Sequence, residues 1–124
     1  TNLLGTPYEP DTRGKILFLE EVGEEPYRVD RMLTQLWLAG KLQDAAGFAL
    51  GRFVDCESKD HPPSSPQTLS LETVLRDRCE PLKKPTLYNL MFGHIEENAV
   101  LPIGVMATLD ATAKTLTINE SAVV

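Results

Sequence analysis

Apolar residues between positions 29 and 40 follow the rhythm of one helix face. They recur at intervals of three and four residues, the spacing of an amphipathic α-helix: Val29, Met32, Leu33 and Leu36. Gly40 comes next, and glycine adopts the left-handed conformation that ends many helices without a steric penalty. The pattern therefore predicts a helix that ends near Gly40. Trp37 widens its apolar face and is either part of the core or a contact with another domain or subunit.

Two nearly continuous apolar runs, 15–20 and 45–54, have the length of β-strands. Continuous rather than alternating apolar residues are typical of strands covered on both faces. Glycines at positions 47 and 51 would allow another part of the backbone to approach the second strand closely. We therefore predict two buried strands on either side of the first helix.

A second helix is predicted to begin after Ser70, which is a favourable N-cap residue, with Glu72 in the first turn. Its inner stripe consists of four leucine and valine residues and a small apolar cysteine: Leu71, Val74, Leu75, Leu82 and Cys79. The stretch 58–67 before it is rich in serine and proline and is interpreted as a surface loop.

The last part of the chain is predicted to consist of strands. One runs over 86–91 and continues into 92–95, and two more, 102–109 and 115–119, flank the connection 110–114 as a hairpin. Strands that alternate with helices and end in a hairpin predict an α/β fold, here a compact domain with a mixed sheet. A length of 124 residues is appropriate to a single domain over 1–124.

Charge and composition exclude several classes of function. The net charge is −6 and the isoelectric point is near 4.8, so nucleic acid and anionic membranes would repel the chain. Its apolar runs are far shorter than the ~20 residues of a membrane-spanning helix, and no signal peptide is recognisable. Two cysteines without CxxC spacing are consistent with a reducing cytoplasm. We therefore expect a cytoplasmic protein without nucleic-acid or membrane partners.

The chain begins in an unusual way for a natural protein. Thr1 stands where an initiator methionine is expected, and the apolar pair Leu3–Leu4 follows almost at once. Natural N-termini are usually exposed and polar. We expect the chain to be a piece of a longer protein, a removed purification tag being the alternative.

Nucleophiles and metal ligands are scarce. None of the five serines lies in a glycine-flanked G-x-S-x-G elbow, and Cys79 is expected to be inert in the core. His61 and His94 lie far apart in sequence, and the acidic residues from Glu20 to Glu25 lack the pattern of a calcium-binding loop. We therefore expect no metal and no cofactor.

Glu20 and His94 are the candidate chemical groups. Each lies where an apolar run gives way to a loop, and the carboxyl ends of strands are where open α/β sheets place working groups. A histidine held in one tautomer by a carboxylate forms two-thirds of a serine-type catalytic triad. Their separation in sequence carries no information about their distance in space. Unrelated surface positions are therefore the alternative.

Several motifs together resemble those of the S66 serine peptidases, and most closely the L,D-carboxypeptidases (muramoyltetrapeptide carboxypeptidases). The matching residues span nearly the whole chain in the right order, apart from the loop 55–67: Leu4–Pro10, Ile16–Glu21, Pro26–Leu33, Gln35–Leu36, Phe92–His94, Asn98 and Leu101–Gly104.

This resemblance implies a C-terminal domain of the swivelling β/β/α type from an enzyme whose catalytic serine lies in an N-terminal domain. By the same resemblance Glu20 is the triad acid, His94 is the general base, and the reaction releases D-Ala from the murein tetrapeptide in peptidoglycan recycling. The serine and its oxyanion hole are absent from this chain, so we expect the chain alone to be inactive. The expected partners are the N-terminal domain, the tetrapeptide and, in the parent enzyme, a second subunit of a homodimer.

Three alternatives stay open at this point: a microcin-type immunity peptidase of the same family, a non-catalytic binding or oligomerisation module, and an acidic metal-binding domain. Glu20 is preferred over Glu21 as the acid because neighbouring side chains of a strand point to opposite faces. Three cations are available for a substrate carboxylate, although solvated or structural arginines are the simpler interpretation: Arg28, Arg31 and Arg52.

Overall fold

A three-stranded parallel sheet forms the centre of the fold. In the computed structural model, which describes residues 1–59 and 69–123, the strands lie in the order β1 (Ile16–Val22), β2 (Gly47–Val54) and β3 (Thr86–Leu87). Both predicted buried strands are confirmed. Only β2 is fully covered along most of its length, and β1 is half-buried over Ile16–Leu19 because it is an edge strand.

The first helix has the predicted inner face and the predicted end. Helix α1 (Pro26–Leu38) buries Val29, Leu33 and Leu36, and Gly40 follows in the left-handed conformation with φ 75°. Trp37 is partly buried against the core, which supports the core interpretation of this residue. A single helical turn that the pattern did not predict, α2 (Lys41–Asp44), leads into β2.

The second predicted helix is also confirmed, as α3 (Leu71–Cys79). The Ser70 hydroxyl accepts a 3.1 Å hydrogen bond from the backbone N–H of Thr73, so Ser70 is the N-cap. Leu82 lies beyond the helix in a short 3₁₀ turn (Glu80–Leu82) and packs against the core. The predicted loop 58–67 lies mostly outside the described residues.

The core lies between the helices and one face of the sheet. Leu17 and Leu19 of β1 join Phe48 and Leu50 of β2 in this cluster, and the helices contribute the other large members: Val29, Leu33, Leu36, Leu42, Leu71, Val74 and Leu75. Because side chains alternate along a strand, Phe18 points to the other face of the sheet. That face is covered by the chain that follows β3.

The prediction of a strand over 86–91 that continues into 92–95 is wrong beyond Leu87. Asn89 adopts the left-handed conformation with φ 66°. Asparagine tolerates this conformation better than most residues, but a β-strand does not contain it. The chain nevertheless stays beside β2, since the N–H of Leu90 donates to the carbonyl of Leu50 at 3.0 Å. An irregular segment, residues 88–106, therefore replaces the predicted strand.

The predicted hairpin is present but is shorter and separate from the parallel sheet. Strands β4 (Ala107–Asp110) and β5 (Thr115–Ile118) pair antiparallel as a sheet of their own, so β4 starts five residues later than predicted. The α/β class is confirmed, with parallel and antiparallel pairing in two sheets rather than in one mixed sheet. No helix among the described residues is long and apolar enough to cross a membrane.

Candidate active site

Glu20 and His94 lie against each other in the folded chain. The distance between Nδ1 of His94 and Oε2 of Glu20 is 2.9 Å, although the residues are 74 positions apart. An ionised carboxylate only accepts hydrogen bonds, so Nδ1 of His94 donates, and in the neutral form of the ring Nε2 is then the acceptor nitrogen. The Glu20 side chain is 33% exposed and that of His94 is 61% exposed. The pair therefore presents an oriented imidazole at the surface of the domain.

A β-bulge places Glu20 for this contact. Leu19 pairs with Leu50, but Glu21 pairs with Phe53, so two residues of β2 stand opposite Glu20 alone. A bulge of this kind bends the strand and redirects a side chain. Glu20 thus lies two residues before the end of β1 and not at the strand terminus that the sequence predicted. The carboxylate of Glu21 turns back and accepts a hydrogen bond from the N–H of Val22 at 2.9 Å.

His94 belongs to a tight turn of the irregular segment. The carbonyl of Phe92 accepts a 2.9 Å hydrogen bond from the N–H of Arg52, and the N–H of Ile95 donates to the carbonyl of Gly93 at 3.0 Å. A third bond, from the N–H of Ala99 to the carbonyl of Met91 at 2.7 Å, closes the loop behind the histidine. These bonds fix the backbone on both sides of the imidazole.

Gly93 lets this turn lie directly on the carboxylate. Its φ of +121° is a conformation that residues with a side chain rarely adopt. A Cβ atom here would also lie 3.1 Å from Oε2 of Glu20 and 3.0 Å from the carbonyl oxygen of Arg52. A side chain at position 93 would therefore strain the backbone and crowd the carboxylate that binds His94.

The cysteines take no part in this site. Cys79 is only 5% exposed, and its burial raises the pKa of the thiol to about 11. This agrees with the prediction of an inert core residue. Cys56 is 1% exposed, its thiol donates to the carbonyl of Val54 at 3.3 Å, and burial raises its pKa as well. Neither thiol is available as a nucleophile.

Two of the three serines that the structure describes, Ser70 and Ser121, occupy structural positions. Ser70 is the N-cap of α3, and the Ser121 hydroxyl donates to the carbonyl of Val123 near the end of the chain. Ser64 and Ser65 lie outside the described residues, as does His61. Within 1–59 and 69–123, no group of three His, Cys, Asp or Glu residues is placed to hold a metal ion.

The candidate arginines differ in their surroundings. Arg28 donates to the hydroxyl of Tyr27 at 3.0 Å and lies 3.4 Å from the Glu24 carboxylate, so it is engaged on the surface. Arg31 lines a shallow depression of about 290 Å³ with Arg28. Arg52 lines a different open depression of about 550 Å³, which also includes Ile95, the residue after His94.

A further depression, of about 480 Å³, lies between α3 and the hairpin loop. Leu50, Leu75 and Cys79 contribute to its lining, and neither Glu20 nor His94 does. It therefore has no evident part in the chemistry of the Glu20–His94 pair.

A carboxylate-bound imidazole on an α/β domain is typical of hydrolases that use a histidine as general base. The chain belongs to the LD-carboxypeptidase C-terminal domain family of S66 peptidases, whose model matches residues 1–109. The resemblance seen in the sequence motifs is thereby confirmed.

Curated relatives carry carboxypeptidase names. A protein of Bacillus subtilis named "Probable murein peptide carboxypeptidase" is 44% identical over 119 residues, which cover 96% of this chain and 36% of that protein. A "Murein tetrapeptide carboxypeptidase" of Pseudomonas aeruginosa is 33% identical over 78% of this chain and 30% of its own length. The chain thus spans about a third of the length of these relatives.

Solved structures give the same picture of the fold. The muramoyltetrapeptide carboxypeptidase from Oxalobacter formigenes is 35% identical, with a TM-score of 0.73 over 86% of this chain and 36% of that one. The microcin C7 self immunity protein MccF superimposes with a TM-score of 0.81 over 98% of this chain and 35% of its own, at 22% identity. The second likeness concerns the fold alone.

Proposed function

We propose that this chain is the C-terminal domain of a serine L,D-carboxypeptidase that releases the terminal D-Ala from murein tetrapeptides in peptidoglycan recycling. In this proposal Glu20 and His94 are two members of a Ser-His-Glu triad. The nucleophilic serine and the oxyanion hole belong to an N-terminal domain outside the chain. By itself the chain is expected to be inactive.

The chemical roles follow from the orientation of the imidazole. Glu20 holds the Nδ1–H of His94, so Nε2 is free to accept the proton of a serine hydroxyl as its oxygen bonds to the scissile carbonyl carbon. When the C–N bond breaks, His94 returns this proton to the amine of the departing D-Ala. A water molecule then attacks the carbonyl carbon of the acyl-serine, with His94 again as the general base, and the acyl group leaves the serine oxygen.

The hydrogen bond between Glu20 and His94 is the single observation that carries this proposal. It joins residues from β1 and from the irregular segment, and a β-bulge and a glycine turn place the two side chains in contact. A carboxylate that fixes the tautomer of an exposed histidine is what a general base requires.

The length comparison supports a second, larger part of the protein. The relatives are about three times as long as the chain, which covers 36% of the Bacillus subtilis protein and 30% of the Pseudomonas aeruginosa protein. This leaves ample room for a domain that carries the nucleophile. The cytoplasmic location and the homodimer of the parent enzyme stay predictions.

The names of the relatives support murein tetrapeptide as the substrate. Identities of 33% and 44% to proteins with murein-peptide names favour this substrate over a peptidyl nucleotide, because the likeness to MccF rests on 22% identity. A microcin-type immunity peptidase remains the second candidate, and a non-catalytic module the third. All three make different predictions for the same assay.

The test is an assay of D-Ala release from murein tetrapeptide by the full-length protein that contains this chain. Glu20→Gln and His94→Ala are each expected to lower kcat/KM by at least ~10³-fold. Glu21→Gln is the matched control, since Glu21 is the neighbouring carboxylate and its side chain accepts a hydrogen bond from the N–H of Val22 rather than from His94. This variant should retain turnover close to that of the wild type.

Full activity of the His94→Ala enzyme would overturn the proposed role of the histidine. Cleavage of a peptidyl nucleotide without release of D-Ala would favour the immunity peptidase. A full-length protein that folds but hydrolyses neither substrate would favour the non-catalytic module.

A further inference from the structure

We propose that Phe92 is a positioning residue that fixes His94 on the Glu20 carboxylate, and that Gly51 is required because it makes room for Phe92. The catalytic meaning of this inference depends on the proposed function. The placement of His94 does not, and it can be measured separately.

Phe92 anchors the irregular segment. The structure describes all of residues 88–106, and among them Phe92 alone is buried, with 8% of its surface exposed. Its ring centroid lies 5.5 Å from that of Phe18 in a tilted arrangement. Such a geometry is a favourable aromatic contact. In addition to its backbone hydrogen bonds with β2, the segment that carries His94 is thus attached to the sheet by one large buried side chain, on the face opposite to the helices.

Gly51 provides the space in which Phe92 sits. A Cβ atom at position 51 would lie 2.5 Å from the carbonyl oxygen of Phe92 and 2.6 and 2.7 Å from two of its ring carbons. The carbonyl oxygen also accepts the hydrogen bond from the N–H of Arg52, so it is held in place and has little freedom to move away. Any side chain at position 51 would therefore displace Phe92.

A displacement of Phe92 would be transmitted to His94 over a very short path. Only Gly93 separates the two residues, and the bond from Ile95 N–H to the Gly93 carbonyl keeps this turn tight. Gly51 itself belongs to the bulge that stands opposite Glu20. Glu20, the space that Gly51 leaves and the Phe92 ring that fills this space therefore all lie at the same β-bulge.

Gly47 offers a control on the same strand. A Cβ atom there would also be crowded, at 2.8 Å from the carbonyl oxygen of Pro85 and 2.8 Å from Cδ2 of Leu109. Gly47 lies at the other end of β2 and contacts neither Phe92 nor the Glu20–His94 pair. Gly47→Ala should therefore strain the fold without affecting the imidazole.

The experiment uses the full-length protein with Gly51→Ala, Phe92→Leu and Gly47→Ala, labelled with ¹⁵N at histidine. The ¹⁵N shifts of His94, assigned by comparison with His94→Ala, report which ring nitrogen carries the proton. The wild type should show the Nδ1–H tautomer. Gly51→Ala should shift toward the Nε2–H form that predominates in free histidine and should lose ~10²-fold in kcat with little change in KM, because the base is misplaced.

Phe92→Leu keeps an apolar side chain but loses the contact with Phe18, and it should change the tautomer and kcat in the same direction by a smaller factor. It decides the question if Gly51→Ala does not fold. Gly47→Ala should lose thermal stability while retaining the tautomer and kcat of the wild type.

The inference is overturned if Gly51→Ala or Phe92→Leu lowers only the melting temperature and leaves the His94 ¹⁵N shifts and kcat as in the wild type. A shifted tautomer in a protein whose His94→Ala variant is still fully active supports the positioning role of Phe92 and refutes the proposed function. The two ideas can thus fail independently.

Discussion

The two faces of the parallel sheet are built by different means. The face covered by α1 and α3 is filled with aliphatic and aromatic side chains, among them Phe48 and Leu50, which are 0% and 2% exposed. The opposite face carries Phe18, Glu20 and Gly51 and is covered near the site by the irregular segment. Its geometry depends on a bulge, a glycine turn and one buried aromatic ring.

The comparison indicates a division between stability and chemistry. Apolar side chains that interdigitate between helices and sheet supply most of the free energy of folding. The irregular face adds little burial, and several of its large apolar residues are exposed, such as Val100 at 95% and Ile103 at 82%. It does, however, bring a carboxylate and an imidazole within 2.9 Å of each other.

Hydrogen exchange on the 124-residue chain should reveal the largest contrast between the two faces. The amides of β2 are expected to exchange only by global unfolding. Those of residues 100–105 donate no hydrogen bond to any part of the chain that the structure describes, so they should exchange almost without protection. The expected difference in opening free energy is at least about 4 kcal/mol. Equal protection in both regions would contradict the division.

A truncation on the helix-covered face should lower stability far more than a truncation on the irregular segment. Phe48→Ala removes a fully buried ring and is expected to lower the free energy of unfolding by about 3–5 kcal/mol. Ile103→Ala on the irregular segment is the control, because that side chain is 82% exposed. The effect of this control should stay within about 0.5 kcal/mol. Urea denaturation measures both, and a loss below about 1 kcal/mol for Phe48→Ala would be inconsistent with this core.

Alkaline pH should weaken the helix-covered face through Cys79. Burial raises the pKa of its thiol to about 11 from an ordinary value of 9.0. The unfolded chain therefore releases the proton first as the pH rises. The contribution of the protonated Cys79 thiol to the free energy of unfolding is fully present below about pH 9. It is reduced by about 2 kcal/mol near pH 10.5.

Urea denaturation of the wild type and of Cys79→Ala over this pH range isolates the effect, since the other titrating groups are common to both proteins. The stability of the wild type should fall more steeply between about pH 8 and pH 10.5. Parallel pH profiles would show that Cys79 does not contribute.

The sequence predicted the helix-covered face well because its signals are local. The spacing of Val29, Leu33 and Leu36 defines α1 by itself, and Ser70 indicates the start of α3 from its own chemistry. The irregular face has no comparable signal. Neither the left-handed Asn89 nor the bulge at Glu20 follows from a hydrophobic pattern, and both depend on contacts with residues distant in sequence.

The pattern of residues singled out Glu20 and His94 as candidates, but their roles as acid and base of one pair came from the resemblance to a family. A separation of 74 positions in sequence does not determine the distance between two residues in space. Residue chemistry alone therefore left an unrelated pair of surface positions as the alternative. Gly51 was recognised as a site of close backbone approach, but Phe92 as its partner was not. The fold of the backbone is what brings the ring of Phe92 into the space beside Gly51.

The most direct test of the central claim is a crystal structure of the full-length protein with a D-Ala-terminated substrate analogue bound. The account predicts that Nε2 of His94 faces a serine hydroxyl at about 2.6–3.2 Å, with Glu20 still on Nδ1. A bound analogue whose scissile carbonyl lies next to some other nucleophile, with Nε2 of His94 directed away from it, would contradict the account.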